Sequence, residues 1–85
     1  MAETMKKRTN NQIPRAWSLG EAACNHGGTF WTDGIKLYSY QLQIGDTTAG
    51  TKVLRDYSAK GRHGFKTMTT SQHIGKARIW ADIVD

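Results

Sequence analysis

The chain has 85 residues and a formal net charge of +5, with 12 Lys and Arg against seven Asp and Glu. A chain of this length forms one domain with a small core. The single Cys excludes an internal disulfide. Because no apolar run approaches membrane length and no signal peptide is visible, we expect a soluble intracellular protein with no membrane partner.

The positive charge is concentrated near the N-terminus. The first 15 residues contain one carboxylate, Glu3, and four cations: Lys6, Lys7, Arg8 and Arg15. Residues 1–13 are polar and have almost no apolar side chains, which predicts a disordered basic arm. We therefore expect an arm over residues 1–13 and a single domain over residues 14–85.

A short helix is predicted immediately after this arm. The run Ser18-Leu19-Gly20-Glu21 fits a capping box, with Ser18 as the N-cap and Glu21 at the third helical position. The helix continues through Cys24, and Gly27-Gly28 ends it.

A β-hairpin is predicted over residues 30–44. Asp33-Gly34 is a strong signal for a type I′ turn, in which both central residues have φ > 0. One strand covers residues 29–32 and the next covers residues 35–45. The apolar positions of the second strand change parity, so we expect either a β-bulge near Leu37 or Tyr38 or a strand covered on both faces.

Two more strands and a helix complete the predicted fold. The strands cover residues 51–58 and 65–69, and Thr70 or Ser71 caps the helix. Its apolar stripe has helical spacing and consists of Ile74, Ala77, Ala81 and Val84. The predicted fold class is α+β: a three- to four-stranded antiparallel β-meander packed against a C-terminal α-helix, with a short N-terminal helix.

The residues that carry chemistry match no catalytic or metal-binding pattern. Ser71 and His73 are two positions apart, which places them on different faces of a helix. The candidate metal ligands have no zinc-site spacing: Cys24, His26, His63 and His73. We expect no enzymatic activity, no metal ion and no cofactor.

A basic turn is the stronger candidate for a binding site. Gly61-Arg62-His63-Gly64 is flanked by Lys60 and Lys66, and a glycine-flanked turn lets a ligand approach the backbone closely. An ordinary hairpin turn with solvated charges is the alternative interpretation. The hypothesis to test is a phosphate-contacting edge that combines the turn with the arm: Lys6, Lys7, Arg8, Lys60, Arg62 and Lys66.

Aromatic and basic residues are interleaved in the predicted strands: Lys36, Tyr38, Tyr40, Lys52, Arg55 and Tyr57. A sheet with this composition can bind a single strand by stacking bases on its rings. Since a chain this small needs its aromatic residues for burial, we favour the alternative in which the tyrosines form the core beneath the helix.

Four blocks of the sequence resemble a group of short uncharacterised proteins encoded by tailed bacteriophages and related mobile elements. The blocks are Trp31-Thr32-Asp33-Gly34, residues 37–45, Asp56-Tyr57-Ser58-Ala59 and residues 69–77. The resemblance implies a viral origin and a role in the cytoplasm of an infected bacterium. The group has no established activity, so the resemblance assigns no functional residue.

Two functions follow from these observations. The first is a non-enzymatic phage accessory protein that binds nucleic acid through the basic arm and loop. The alternative is a phage protein that binds and modulates a host protein, such as a defence or transcription component.

Overall fold

The computed structural model describes residues 6–58, 61 and 63–85. These residues form an α+β fold, as predicted, with seven strands and two helices. The elements in chain order are β1 (Lys6–Lys7), α1 (Gln12–Leu19), β2 (Ala22–Cys24), β3 (Phe30–Asp33), β4 (Leu37–Ser39), β5 (Leu42–Thr48), β6 (Thr51–Leu54), α2 (Met68–Ala77), a 3-10 turn (Arg78–Trp80) and β7 (Ile83–Val84).

The strands follow one another across the sheet in sequence order. The pairs from β2 to β6 are antiparallel, whereas β1 is parallel to β2 and β7 is parallel to β6. Helix α1 connects the first parallel pair, and α2 with its 3-10 turn connects the second. Because β2 and β6 run in the same direction, two right-handed crossovers place both helices on the same face of the sheet. The two helices contact each other there.

The core lies between the helices and this face. Helix α1 contributes Ile13 and Trp17, and α2 contributes Ile74 and Ala77. The sheet contributes five fully or almost fully buried side chains: Ala23, Phe30, Leu37, Ile44 and Leu54. The opposite face of the sheet has no helix on it within the described residues, and we call it the open face.

Trp17 is packed directly on the sheet at Gly45. A Cβ at position 45 would lie 2.8 Å from Trp17 Cζ2 and 2.9 Å from Leu37 Cβ, so the strand must carry glycine at this point. Trp17 Nε1 donates a hydrogen bond to the Ile35 carbonyl at 3.0 Å. The Lys52 ammonium lies 5.7 Å from the centre of the indole ring. Burial lowers the pKa of Lys52, against the opposing effect of Asp82.

A buried polar cluster joins α2 to β4. Ser39 Oγ lies 2.9 Å from Thr70 Oγ1 and 2.7 Å from His73 Nδ1. The His73 ring stacks on Phe30 with 4.0 Å between the ring centres. Burial lowers the pKa of His73 to about 4, and the nearby charge of Lys76 acts in the same direction. His73 is therefore a neutral core residue at pH 7.

The predicted hairpin is present, but its turn type is different. Gly34 has φ 98°, which confirms the predicted left-handed conformation. The Asp33 N–H donates to the Lys36 carbonyl, so the central residues are Gly34 and Ile35. Ile35 does not have positive φ, and the predicted type I′ turn at Asp33-Gly34 is wrong. Glycine occupies the first central position, as a type II′ turn requires.

The second predicted strand, residues 35–45, is two strands. The chain reverses at Tyr40, which has φ 58°, and Leu42 pairs back with Ser39. The β4–β5 register shifts between Leu37 and Tyr38, but the extra residue is on the partner strand: Leu37 pairs with Gly45 and Tyr38 with Gln43, which leaves Ile44 of β5 as the bulge. The pattern did not reveal the break, since Tyr40-Gln41 contains none of the usual turn residues.

Both predicted helices are displaced. The N-terminal helix begins at Gln12 rather than at Ser18, and Gly20 ends it with φ 76°. Residues 22–24, which were predicted to be helical, form β2. The stripe of Ile13, Ala16 and Trp17 sets this location, because it faces the core at helical spacing.

The C-terminal helix begins one turn earlier than predicted. Thr67 is its N-cap, and Thr67 Oγ1 accepts a hydrogen bond from the Thr70 N–H at 3.0 Å. The predicted strand over residues 65–69 is therefore wrong. Ile74 and Ala77 are buried as predicted, but Ile83–Val84 leaves the helix to pair with β6. The sheet is consequently mixed and larger than the predicted three- to four-stranded meander.

The predicted arm over residues 1–13 contains regular structure. Lys6–Lys7 pairs with β2, and the Arg8 N–H donates to the Cys24 carbonyl at 2.9 Å. Helix α1 then begins at Gln12. Regular structure therefore starts before the predicted boundary at residue 13, because the edge of β2 offers hydrogen-bonding groups to a polar segment. Residues 1–5 lie outside the described residues.

Two glycine substitutions test the packing of Trp17. We expect Gly45→Ala to lower the free energy of unfolding by about 1–3 kcal/mol, because the added methyl group meets Trp17 and Leu37. Gly75→Ala is the matched control: its new Cβ has no neighbour within 4 Å, and alanine favours the helix by about 0.5–1 kcal/mol. Urea unfolding measures both changes. Equal destabilisation by both variants would contradict the contact.

The buried His73 predicts a pH dependence of stability. Its pKa is lowered from 6.5 to about 4, so below pH 6.5 the unfolded chain binds a proton that the folded protein excludes. Stability should be complete above pH 6.5 and should decrease by roughly 3 kcal/mol as the pH falls towards 4. His73→Gln removes this contribution, so its unfolding free energy should vary less with pH in that window. An NMR titration of the wild-type ring gives the pKa directly, and a value near 6.5 contradicts this account.

Candidate nucleic-acid interface

A row of side chains crosses the open face perpendicular to the strands. The register pairs Lys7 with Cys24, Cys24 with Trp31, Trp31 with Tyr38 and Tyr38 with Gln43. Directly paired residues lie on the same face of a sheet. We call this set the aromatic row: Lys7, Cys24, Trp31, Tyr38 and Gln43.

Alternation along each strand places the row opposite the helices. In β3, Phe30 and Thr32 are buried and Trp31 is half-buried between them. In β4, Leu37 and Ser39 are buried and Tyr38 is half-buried. Because the buried residues face α1 and α2, Trp31 and Tyr38 face the other way.

Trp31 and Tyr38 form the centre of the row. Their rings are stacked, with 4.0 Å between centres and 9° between planes. Trp31 Nε1 donates a hydrogen bond to the Tyr40 carbonyl at 2.9 Å, which fixes the indole orientation. The result is an ordered pair of half-exposed aromatic rings on a rigid sheet.

The expectation that Tyr38 lies in the core beneath the helix is wrong. The sequence pattern grouped Tyr38 with Tyr40, Leu42 and Ile44 as one buried face. Tyr38 alternates with the buried Leu37 and Ser39, so it lies on the open face, and the chain reverses after it at Tyr40. Ile44 is the extra residue of the β5 bulge and lies in the core. Tyr57 packs against the core, in agreement with the expectation, and Tyr40 is 47% exposed.

A cation lies at each end of the aromatic row. Lys7 is exposed on the edge strand β1. At the other end, Arg55 follows β6, and its N–H donates to the Ile44 carbonyl at 2.7 Å. Leu54 and Asp56 on either side of Arg55 are buried, so alternation places Arg55 on the open face.

Asp33 and Asp46 lie on the open face outside the aromatic row, and Asp85 lies beside Arg55. Asp33 is paired with Ala22, two positions along β3 from Trp31. Asp46 is paired with Val53 on β6. Partial burial acts to raise the pKa of Asp33, but hydrogen bonds from the Lys36 and Ile35 N–H groups and the charge of Lys36 outweigh it and lower the pKa. The aromatic row itself contains no carboxylate.

The residues of the predicted phosphate-contacting edge lie near opposite ends of the strand order, some at β1 and one beyond β6. Lys6, Lys7 and Arg8 lie at the β1 edge. Lys66 lies beyond β6, with its ammonium 5.7 Å from the centre of the Tyr57 ring. Lys60 and Arg62 lie outside the described residues. The members that the structure describes therefore do not form one cluster.

Arg8 also lines a polar groove beside α1. The groove has a volume of about 310 Å³, and its other lining residues are Gln12, Arg15, Ala16, Leu19 and Glu21. Because Glu21 accompanies the two arginines, the groove combines both signs of charge. It lies beside the helix layer and is separate from the aromatic row.

The residues considered for catalysis or metal binding do not assemble into a reactive site. The Ser39–His73 hydrogen bond is shielded from solvent, since both side chains are at most 2% exposed. Cys24 lies on the open face, whereas His73 lies in the core and His63 contacts Asp85. Within the described ranges, no group of three or more His, Cys, Asp or Glu side chains is placed to hold a metal ion.

Among the described residues, no helix combines the length and apolarity needed to cross a membrane. Comparisons with family models, curated proteins and solved structures gave no match to the chain. The open face is therefore the feature from which a function is argued.

Proposed function

We propose that the protein binds single-stranded nucleic acid on the open face of its sheet. The observation that supports this proposal is the Trp31–Tyr38 stack, held on the face opposite both helices with a cation at each end of its row. Bases stack on such rings whatever their sequence, because every base has a π-face. Lys7 and Arg55 attract the phosphates between the bases.

A single strand fits this face better than a duplex. In a duplex, the faces of the bases are covered by neighbouring base pairs, so aromatic rings gain no stacking partner. An unpaired strand exposes its bases to rings and its backbone to cations at the same time. The formal net charge of +5 favours the encounter with either form, so the rings provide the preference for single strands.

The biological setting is also a proposal. The resemblance to small phage proteins suggests a non-enzymatic accessory protein that works in the cytoplasm of an infected bacterium. The enclosed Ser39–His73 pair supports a binding role, since no substrate reaches that hydroxyl group without a change in packing. Modulation of a host protein is the competing function, and it gains weight if the purified protein binds no oligonucleotide.

The proposal predicts that Trp31→Ala weakens binding to oligo-dT. Loss of one stacking contact should reduce the binding free energy by about 1–3 kcal/mol, whereas Trp31→Phe should retain most of it. Ile79→Ala is the matched control, because Ile79 is 82% exposed but lies after α2, away from the aromatic row. Isothermal titration calorimetry at low salt measures all three variants.

Binding should also quench the fluorescence of Trp31. Trp17 is fully buried, so a Trp80→Phe background leaves Trp31 as the responsive indole. The proposal fails if oligo-dT does not bind at low salt. It also fails if Trp31→Ala and Ile79→Ala have the same effect on affinity.

A further inference from the structure

We infer that the bound strand runs across the sheet, perpendicular to the β-strands, along the aromatic row from Lys7 to Arg55. This inference rests on the proposed function. It adds the path of the bound strand, the two residues that contact its phosphates and its minimum length. Lys7 and Arg55 are assigned as the two phosphate contacts, and the Trp31–Tyr38 stack between them is assigned as the base platform.

The distribution of charge on the open face selects this path. The aromatic row has Lys7 at one end and no carboxylate, and Arg55, with Asp85 beside it just after β7, lies beyond its other end. A strand shifted by two residues along β3 would pass over Asp33, which lies about 7 Å from Trp31 along the strand. It would then meet Asp46 on β5, so its phosphates would face two carboxylates, with Lys36 beside the first of them. A ligand that ran parallel to the β-strands would cross from the aromatic row to the region of Asp33 and Asp46, where the carboxylates would repel its phosphates.

The positions of the two cations set a minimum length for the ligand. Lys7 on β1 and Arg55 beyond β6 are five strand intervals apart, which is about 24 Å at a strand spacing of about 4.8 Å. A strand stacked at about 3.4 Å per nucleotide spans this distance with about seven nucleotides. A splayed strand needs fewer, and stacking platforms of this kind bind about four or more.

The two cations at the ends of the proposed path differ in how firmly their own backbone is fixed. The N–H of Arg55 is hydrogen-bonded to Ile44, and the neighbouring Asp56 forms an ion pair with Arg78 at 3.0 Å. Lys7 lies on a two-residue edge strand and is exposed. Arg55 therefore provides the ordered anchor, and Lys7 provides a phosphate contact at the edge.

The test compares a dinucleotide with an oligomer of about eight nucleotides, in both oligo-dT and oligo-U. For the longer ligand, Lys7→Ala and Arg55→Ala should each reduce the slope of log K against log salt by about 0.7, the value for one phosphate contact to a single strand. For the dinucleotide, neither variant should change the slope by as much, because a short ligand cannot reach both ends. Arg55→Lys should restore the slope, and the better-bound sugar identifies DNA or RNA as the ligand.

Arg15→Ala is the control, because it removes an exposed charge on α1 and should leave the slope unchanged. If the longer oligomer binds through Trp31 but Lys7→Ala and Arg55→Ala behave like Arg15→Ala, the path is overturned and the proposed function stands. If Asp33→Asn raises affinity more than Arg55→Ala lowers it, the strand runs over the other part of the face, and the path is again overturned. Absence of binding by every oligonucleotide overturns both proposals.

Discussion

The contact between Trp17 and Gly45 positions the helix layer on the sheet. The indole lies where any residue other than glycine at position 45 would place its Cβ, so α1 approaches β5 closely. The same side chain is tied to the β3–β4 turn through the Ile35 carbonyl and lies beneath the Lys52 ammonium. One buried ring thus connects α1, the turn and two central strands, which is an efficient use of a large aromatic residue in a small core.

The position of both helices follows from the way the chain crosses over. Each parallel pair at a sheet edge needs a helical connection, and the two connections run in the same direction. Both helices therefore cover one face, and the described part of the chain leaves the other face without a helix. A short chain cannot supply a second layer, so half-exposed aromatic residues remain on the sheet. That asymmetry makes the open face available for a ligand.

The polar groups of the core stabilise the arrangement because they are satisfied. Ser39, Thr70 and His73 bond to one another, and Lys52 donates to Thr47 Oγ1 at 2.8 Å. Among the described residues, no buried side-chain nitrogen or oxygen lacks a hydrogen-bond partner. Such a network holds β4 and α2 in one register, since a shift would leave buried polar atoms unpaired.

Local signals in the sequence were sufficient for the α+β class, the β3–β4 hairpin and the left-handed Gly34. Each depends on a few adjacent residues whose backbone preferences are strong. The buried helical positions Ile74 and Ala77 were also evident from their spacing.

The tertiary structure alone decided the ends of the sheet and the assignment of its faces. Strands β1 and β7 have two residues each, which is too short for any period, and they form because β2 and β6 offer open edges. The face of Tyr38 follows from its place between the buried Leu37 and Ser39, in a strand that ends at a reversal at Tyr40 that no turn residue announces. A shift of one residue moves a side chain to the other side of a sheet, so the alternating pattern alone could not decide which residues meet a ligand.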